Sequence, residues 1–381
     1  MQSDAAVVRG TGAGTVEILG FGDTGPYFPP VEDHLKYVAS TLAAADLRIG
    51  QCERLYTDLG ARQNNGHPTV RLPRELADVF FDSGMDVVSL AGNLAMDFGP
   101  EAMLDTKEFF LSRGIQVVGV GRDSREARGP VFVERKGKRI AVLGYCSVLR
   151  KGNEAEPNKP GIAPLRVRTW YEPLWDWEPG SPAIVHTVPY EEDLAALRED
   201  ITAAKADADF VVLMIHWGVH YVPRTIAEYQ PVIADIAFNS GADVIFGHHA
   251  HVPKAIGVHS GKVCFYSLSN FIISEPSHSA AANKNLEPYG VFMDPDYPHL
   301  RGQDGKRSLI ARARVHPDGK SDISFVPILI DKQHRPEPLQ PGDPRFDNAL
   351  QFMDWASEGF DHKFDISGTE VKVTSALAVS D

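Results

Sequence analysis

The chain has 381 residues, enough for one large or two modest domains around a buried core, and its 38 Lys and Arg against 51 Asp and Glu give a formal charge of −13. That charge, with no long basic cluster to offset it, disfavours nucleic acid, whereas bound divalent cations would reverse it locally and admit an anionic substrate. No run of about 18 apolar residues marks a membrane span, Met1-Gln2-Ser3-Asp4 does not open a basic-then-apolar leader, and the three cysteines stand apart within apolar runs. The expectation is a soluble, cytoplasmic protein with buried thiols, no membrane contact and an oligomeric state left open.

In chain order, apolar β-type runs alternate with helical spacing. Residues 16–23 form the first run and end in Gly22-Asp23; residues 31–45 then place Leu35, Val38, Leu42 and Ala45 on one helical face. A second strand covers 47–53. Residues 73–83 follow as a helix, with Pro73 in its first turn and Gly84 as its cap. The third strand spans 87–93, a helix 100–113 ends at Gly114, and a strand covers 115–120. Hairpins are expected at 131–134 with 139–146, at 255–258 with 263–268, and at 309–315 with 323–330. Two further apolar strands close at His216 and at Phe246-Gly247-His248-His249-Ala250-His251.

This order implies an α/β fold with mixed sheets and helices outside. Residues 1–360 are expected as a single domain and 361–381 as a C-terminal tail, β-prone at 370–373. Two excursions interrupt the pattern. Residues 151–189 are rich in proline and carry Trp170, Trp175 and Trp177, which breaks helices but supplies rigid contact area, so an ordered lid is expected. Residues 275–307, rich in Pro, Asn, Asp and Gly, form a loop insertion.

Five strand ends deliver potential ligands to one edge: Asp23, Glu53, Asn93, His216, and His249 with His251. Residues two apart on an extended backbone point the same way, so His249 and His251 would present two imidazoles together while His248 faces away and supports them from behind. Carboxylates and imidazoles suit Mn²⁺, Zn²⁺ or Fe²⁺ better than Mg²⁺ or Ca²⁺. No Gly-x-Ser-x-Gly elbow or Walker-type loop offers a competing scheme.

Gly22-Asp23, Glu53, Ala91-Gly92-Asn93 with Asp97-Phe98-Gly99, His216-Trp217-Gly218, Gly247 to His251, and Tyr266-Ser267-Leu268-Ser269-Asn270-Phe271 together resemble, over residues 15–275, the CapA group of bacterial poly-γ-glutamate capsule-synthesis-type proteins. The domain of that group is similar to calcineurin-like metallophosphoesterases. The resemblance implies a four-layer αββα sandwich holding one or two divalent ions at the carboxyl ends of its strands. It implies Glu53 as a bridging carboxylate, Asp23 and His251 on one ion, and Asn93, His216 and His249 on the other.

This chain departs from the resemblance in three places. Leu94 stands where the superfamily has the histidine that protonates a leaving oxygen, which removes a contribution of roughly 10²–10⁴-fold. His220 replaces a common glutamate, and on an extended segment it would share a face with His216. Gly25 stands where a further histidine often follows the aspartate. The expected activity is therefore metal-dependent hydrolysis of an amide or ester, of γ-glutamyl kind by the family's name, in a small or peptide-like substrate. In that reading a metal-activated hydroxide attacks, Asp23 and Glu53 serve the chemistry and His220 manages protons. Trp217, Trp170, Arg150 and Asn270 are expected to bind substrate, with Lys151, Arg166 and Arg168 as further carboxylate clamps, and Asp97 to support the ligands. A phosphoesterase for activated leaving groups and a non-catalytic accessory of polymer synthesis are the alternatives.

Overall fold

Two mixed β-sheets stacked face to face carry the chain in the computed structural model, which describes residues 14–64, 70–275, 286–298, 300 and 302–377. The ten-stranded sheet runs Lys363–Ser367, Glu370–Thr374, Ser321–Ile330, Arg307–Val315, Val16–Pro26, Leu47–Cys52, Val87–Ser89 and Gln116–Val118, with Asn270–Ser274 paired to Val16–Pro26 and Pro336–Pro338 to Ser321–Ile330. Its half from Val16–Pro26 to Gln116–Val118 is parallel, and its other half is an antiparallel meander. The six-stranded sheet runs Ile256–His259, Lys262–Phe265, Val244–His248, Phe210–His216, Lys138–Cys146 and Val131–Arg135, parallel within and antiparallel at both edges.

Side-chain alternation decides the layers. Val16 and Ile18 of the larger sheet meet Val212, Met214, Val244 and Phe246 of the smaller one in a shared core. Leu19 and Phe21 point the other way, against Leu42, Phe80, Met103 and Phe110 of the outer helices. On the smaller sheet Leu213 and Ile215 likewise face Leu197 and Ile201 of Glu191–Ala206 and Ile233 and Ala237 of Tyr229–Ser240. Strands buried on both faces need apolar residues at nearly every position, which is why these runs are continuous in the sequence. The result is the expected helix–sheet–sheet–helix sandwich. Each fully buried Leu, Ile or Phe contributes roughly 1.5–3 kcal/mol to it.

Several elements differ from the sequence reading. Only Ala39–Ala43 of 31–45 is helical; before it His34, Lys36 and Val38 bond carbonyls three residues back, and the His34 ring holds the Val31 carbonyl, a local bond that competes with the helix. Residues 73–83 begin as a 3-10 turn, Arg74–Ala77, before the helix Asp78–Asp82. The segment expected as a tail supplies the last two strands at one end of the larger sheet, because Val371 and Val373 bury against the core of Phe325. Within 151–189 an antiparallel hairpin, Val167–Pro173 with Ala183–Pro189, projects with most of its side chains exposed. Of the 275–307 insertion, residues 276–285, 299 and 301 lie outside the described residues. Cys52, Cys146 and Cys264 are free and buried. Among the described residues no helix is long and apolar enough to cross a membrane.

Candidate metal centre

Parallel strands end on the same side, so the carboxyl ends of both sheets open onto one edge. There Asp23 stands in Val16–Pro26 just past a register shift that follows Gly20, where pairing resumes opposite Gln51 and Asn270; Glu53 follows Cys52, Asn93 lies in the loop after Ser89, and His216 and His248 end their strands. Two bonds lock the sheets together at this point. The His248 Nε2 lies 3.0 Å from the Phe21 carbonyl, and the His249 backbone N–H donates to Asp23 Oδ2 at 3.1 Å. Gly22 permits the approach of a third segment, since a Cβ there would stand 2.3 Å from the Ser269 carbonyl oxygen.

His249 and His251 are not on extended backbone. Their φ angles are 90° and 55°, in the left-handed region that non-glycine residues seldom occupy. The expectation of two parallel imidazoles on a strand is corrected: the strand stops at His248, and a strained loop delivers both rings. Strain of this kind persists where surrounding contacts over-determine it, and it clusters at functional sites.

The six expected ligands converge. His216 Nε2 stands 2.8 Å from Asn93 Oδ1 and 3.1 Å from His249 Nδ1. His251 bridges to the carboxylates, with Nδ1 3.3 Å from Asp23 Oδ2 and Nε2 3.7 Å from Glu53 Oε1. His216 Nδ1 lies 3.9 Å from Glu53 Oε2, too far for a hydrogen bond. Ligand atoms bonded at ~2.1 Å to one ion lie about 3.0–3.4 Å apart, so these spacings suit a metal. Asp23, Glu53 and His216 each offer one ligand atom within 4.8 Å of the others, and all three residues are buried.

Asp23 Oδ1, Glu53 Oε2 and His216 Nδ1 are buried without a hydrogen-bond partner. Burial drives the Asp23 carboxyl well above the usual carboxylate range, against the opposing His249 N–H and Arg54 charge. Burial, then the Asp23 charge, does the same to Glu53. The His216 imidazole is pushed far down by burial and by the neighbouring histidines. Each shift is chiefly the cost of placing a charge in a dry site, and a divalent cation reverses that logic for the carboxylates. Two carboxylates and imidazole nitrogens form a donor set suited to Zn²⁺, Mn²⁺ or Fe²⁺, so the residues present fit such an ion.

The remaining expected residues divide. His220 is half-buried, its ring 3.7 Å from that of His249 and stacked at 5.6 Å on that of His251. It arrives through a turn, with Gly218 and Tyr221 at positive φ, and not along an extended segment. Asn270 is buried, its Oδ1 2.8 Å from His251 Nδ1 and its amide donating to the His251 and Gly305 carbonyls, so it orients an imidazole. Asp97 is buried and paired with Arg150. His248, lowered to about 4 by burial, stays neutral as the tie between sheets. Trp217 does not face a substrate: it is fully buried, stacks on Tyr266 and donates to the Tyr266 carbonyl. Trp170 stacks on His186 within the projecting hairpin. Arg166 is paired with Asp193.

Sequence reasoning missed Arg54. Its guanidinium is buried beside Asp23 and Glu53, and Nη2 donates to Glu275 at 2.9 Å. A basic residue set between Glu53 and the apolar pair Leu55-Tyr56 was the available signal.

Residues 25–275 match the family model described as bacterial capsule synthesis protein PGA_cap. The PGA biosynthesis protein CapA of Bacillus subtilis (strain 168) is 31% identical over 242 residues, covering 63% of this chain and 56% of that protein. The capsule biosynthesis protein CapA of Bacillus anthracis is 27% identical over 251 residues, covering 64% and 55%. A probable polyglutamine synthesis accessory protein of Mycobacterium tuberculosis (strain H37Rv) is 26% identical over 261 residues, covering 65% and 62%. The chain spans a little over half the length of these relatives. Among solved structures, a hypothetical protein from Thermus thermophilus aligns at 17% identity and TM-score 0.43, covering 82% of this chain and 98% of that one. A calcineurin-like phosphoesterase from Bacillus subtilis aligns at 13% and 0.40, covering 91% and 99%. With more than half of its length matched by one family model and the site residues of that span gathered at one edge, the chain belongs to the bacterial capsule synthesis protein PGA_cap family.

Proposed function

We propose that this protein is a metal-dependent hydrolase that cleaves an amide or ester bond, of γ-glutamyl kind, in a small or peptide-like anionic substrate. The observation that carries the reading is the trio of buried, unpartnered ligand atoms on Asp23, Glu53 and His216. The substrate class follows from the relatives, whose names place them in PGA and polyglutamine synthesis.

Asp23, Glu53, Asn93, His216, His249 and His251 would hold the cation. The chemistry supplied at such a centre is water activation at neutral pH together with polarisation of the bond under attack. Asn270 fixes the His251 ring, and the Asp23 carboxylate is aligned by the His249 N–H. The six side chains that would hold the cation are all buried, which strengthens every charge interaction among them. His220, half-buried with its ring against that of His249, would pass a proton to a leaving nitrogen or oxygen, a task Leu94 cannot perform.

The test is elemental analysis of the purified protein beside a hydrolysis panel of γ-glutamyl amides, esters, lactones and aryl phosphodiesters. Bound metal with turnover of the amides or esters supports the reading; turnover confined to phosphodiesters replaces it with phosphoester chemistry. His220→Gln should lower turnover by roughly 10²-fold or more with metal content unchanged. A second reading rests on the name of the Mycobacterium tuberculosis relative, an accessory protein. Stoichiometric metal without turnover of any substrate in the panel would favour that non-catalytic role.

A further inference from the structure

The donors at the edge form two unequal halves. On one side Asn93 Oδ1 and His249 Nδ1 close on His216 Nε2, at 2.8 and 3.1 Å. On the other, Asp23 Oδ2 accepts the His249 N–H, and His251 Nδ1 lies 2.8 Å from Asn270 Oδ1. The wall of that second half is not a ligand. A Cβ at Gly25 would meet Arg54 Cγ at 2.7 Å and Glu53 Cβ at 3.3 Å, so the Arg54 stem fills the space in which a side chain at 25 would stand.

Arg54 is a resident cation. It is buried, tied through Nη2 to Glu275, and its Nε is buried with no acceptor. Its charge acts on both Asp23 and Glu53. Around Glu53 the charged groups are Asp23, Asp97, Glu275 and Arg54, with Arg150 paired to Asp97. Four carboxylates counting Glu53, against two guanidiniums, leave a net charge of two negative, which one divalent ion balances. A second ion would enter a region whose net charge the first has already balanced, in a dry site where uncompensated charge is costly.

We propose that this centre retains one divalent ion, in the Asp23–Glu53–His216 group, and that Arg54 supplies the positive charge a second ion would otherwise bring. The proposal rests on the metal-centre reading above and deepens it.

The experiment counts ions. The full chain is stripped with chelator, titrated with Mn²⁺ by calorimetry, and in parallel loaded with excess Mn²⁺, gel-filtered and subjected to elemental analysis. The expected result is one ion per chain. In Arg54→Gln a second binding step should strengthen at least tenfold, and in Arg54→Lys, which keeps the charge, it should not. Two retained ions in the wild type overturn the proposal and leave the metal centre standing; no retained ion removes the centre itself. A folded Arg54→Gln protein whose second step is unchanged overturns the role of Arg54. Should that variant fail to fold, the wild-type count decides alone.

Discussion

Two buried charged clusters, at opposite halves of the larger sheet, differ in whether their charges are answered. At the antiparallel half Glu370 accepts bonds from Arg312 Nη1 at 2.7 Å, Arg314 Nη2 at 3.0 Å and Ser324 Oγ at 3.1 Å, and Arg314 Nε reaches Glu17 at 2.9 Å. Burial alone would raise the Glu370 carboxyl, yet the Arg314 and Arg312 bonds hold it below its usual value. At the parallel half Asp23 and Glu53 are buried too and are pushed the opposite way, because no bond closes on Asp23 Oδ1 or Glu53 Oε2. In the first cluster each carboxylate faces guanidinium charge, with Glu17 Oε1 and Arg312 Nε joined as an ion pair, and the cluster serves stability. In the second the Arg54 charge lies beside two carboxylates whose Asp23 Oδ1 and Glu53 Oε2 accept no hydrogen bond, at the edge where strand ends converge.

The largest effect that would break this comparison is the loss of metal. His216→Ala should reduce bound metal more than tenfold by elemental analysis while the far-ultraviolet circular dichroism keeps its native form; unchanged metal would remove His216 from the centre. Next in size, Glu370→Ala should cost roughly 2–3 kcal/mol in denaturant unfolding, because Arg312 and Arg314 lose their shared acceptor while Arg314 stays partly open to solvent. Its metal content should equal that of wild type, and a parallel loss of metal would show that the two clusters are not independent.

Lys254 is an intermediate case, a buried ammonium answered only by the Val222 and Thr225 carbonyls of the turn beyond His220. Burial lowers its pKa from 10.5 to about 7. The unfolded chain then binds more protons than the folded one between those values, so this residue makes stability rise with pH across that window. Between pH 7 and 9 the wild type should gain stability relative to Lys254→Met; a constant difference would show that the group is charged in both states. The smallest effect belongs to the exposed hairpin. Trp170→Ala should change stability by about 0.5 kcal/mol or less and leave metal content unaltered.

Much of the site was legible because ligand chemistry is carried by residue type at strand ends. Asp23, Glu53, Asn93, His216, His249 and His251 were picked out by apolar runs stopping at polar residues, and the structure gathers all six. The reason for the last two was mistaken, however, since the alternation argument needs a strand that reaches His251 and this one ends at His248. Trp217 was expected to bind substrate; nothing in its local sequence told that Tyr266 would cover it. Arg54 went unnoticed because its partner Glu275 lies 221 residues further along the chain.

By itself, then, the amino-acid order determined the alternation of strands and helices, the mixed sheets with helices outside, the buried thiols and the residue types available to a cation, all set by short-range patterns of apolar and polar side chains. Only the tertiary structure decided how the two sheets are locked by His248 and Phe21, which ligand atoms remain unanswered, and that a guanidinium occupies one wall of the site. Those features depend on distances between segments far apart in the chain, and burial, which sets the energy of every charge there, exists only once both sheets have closed.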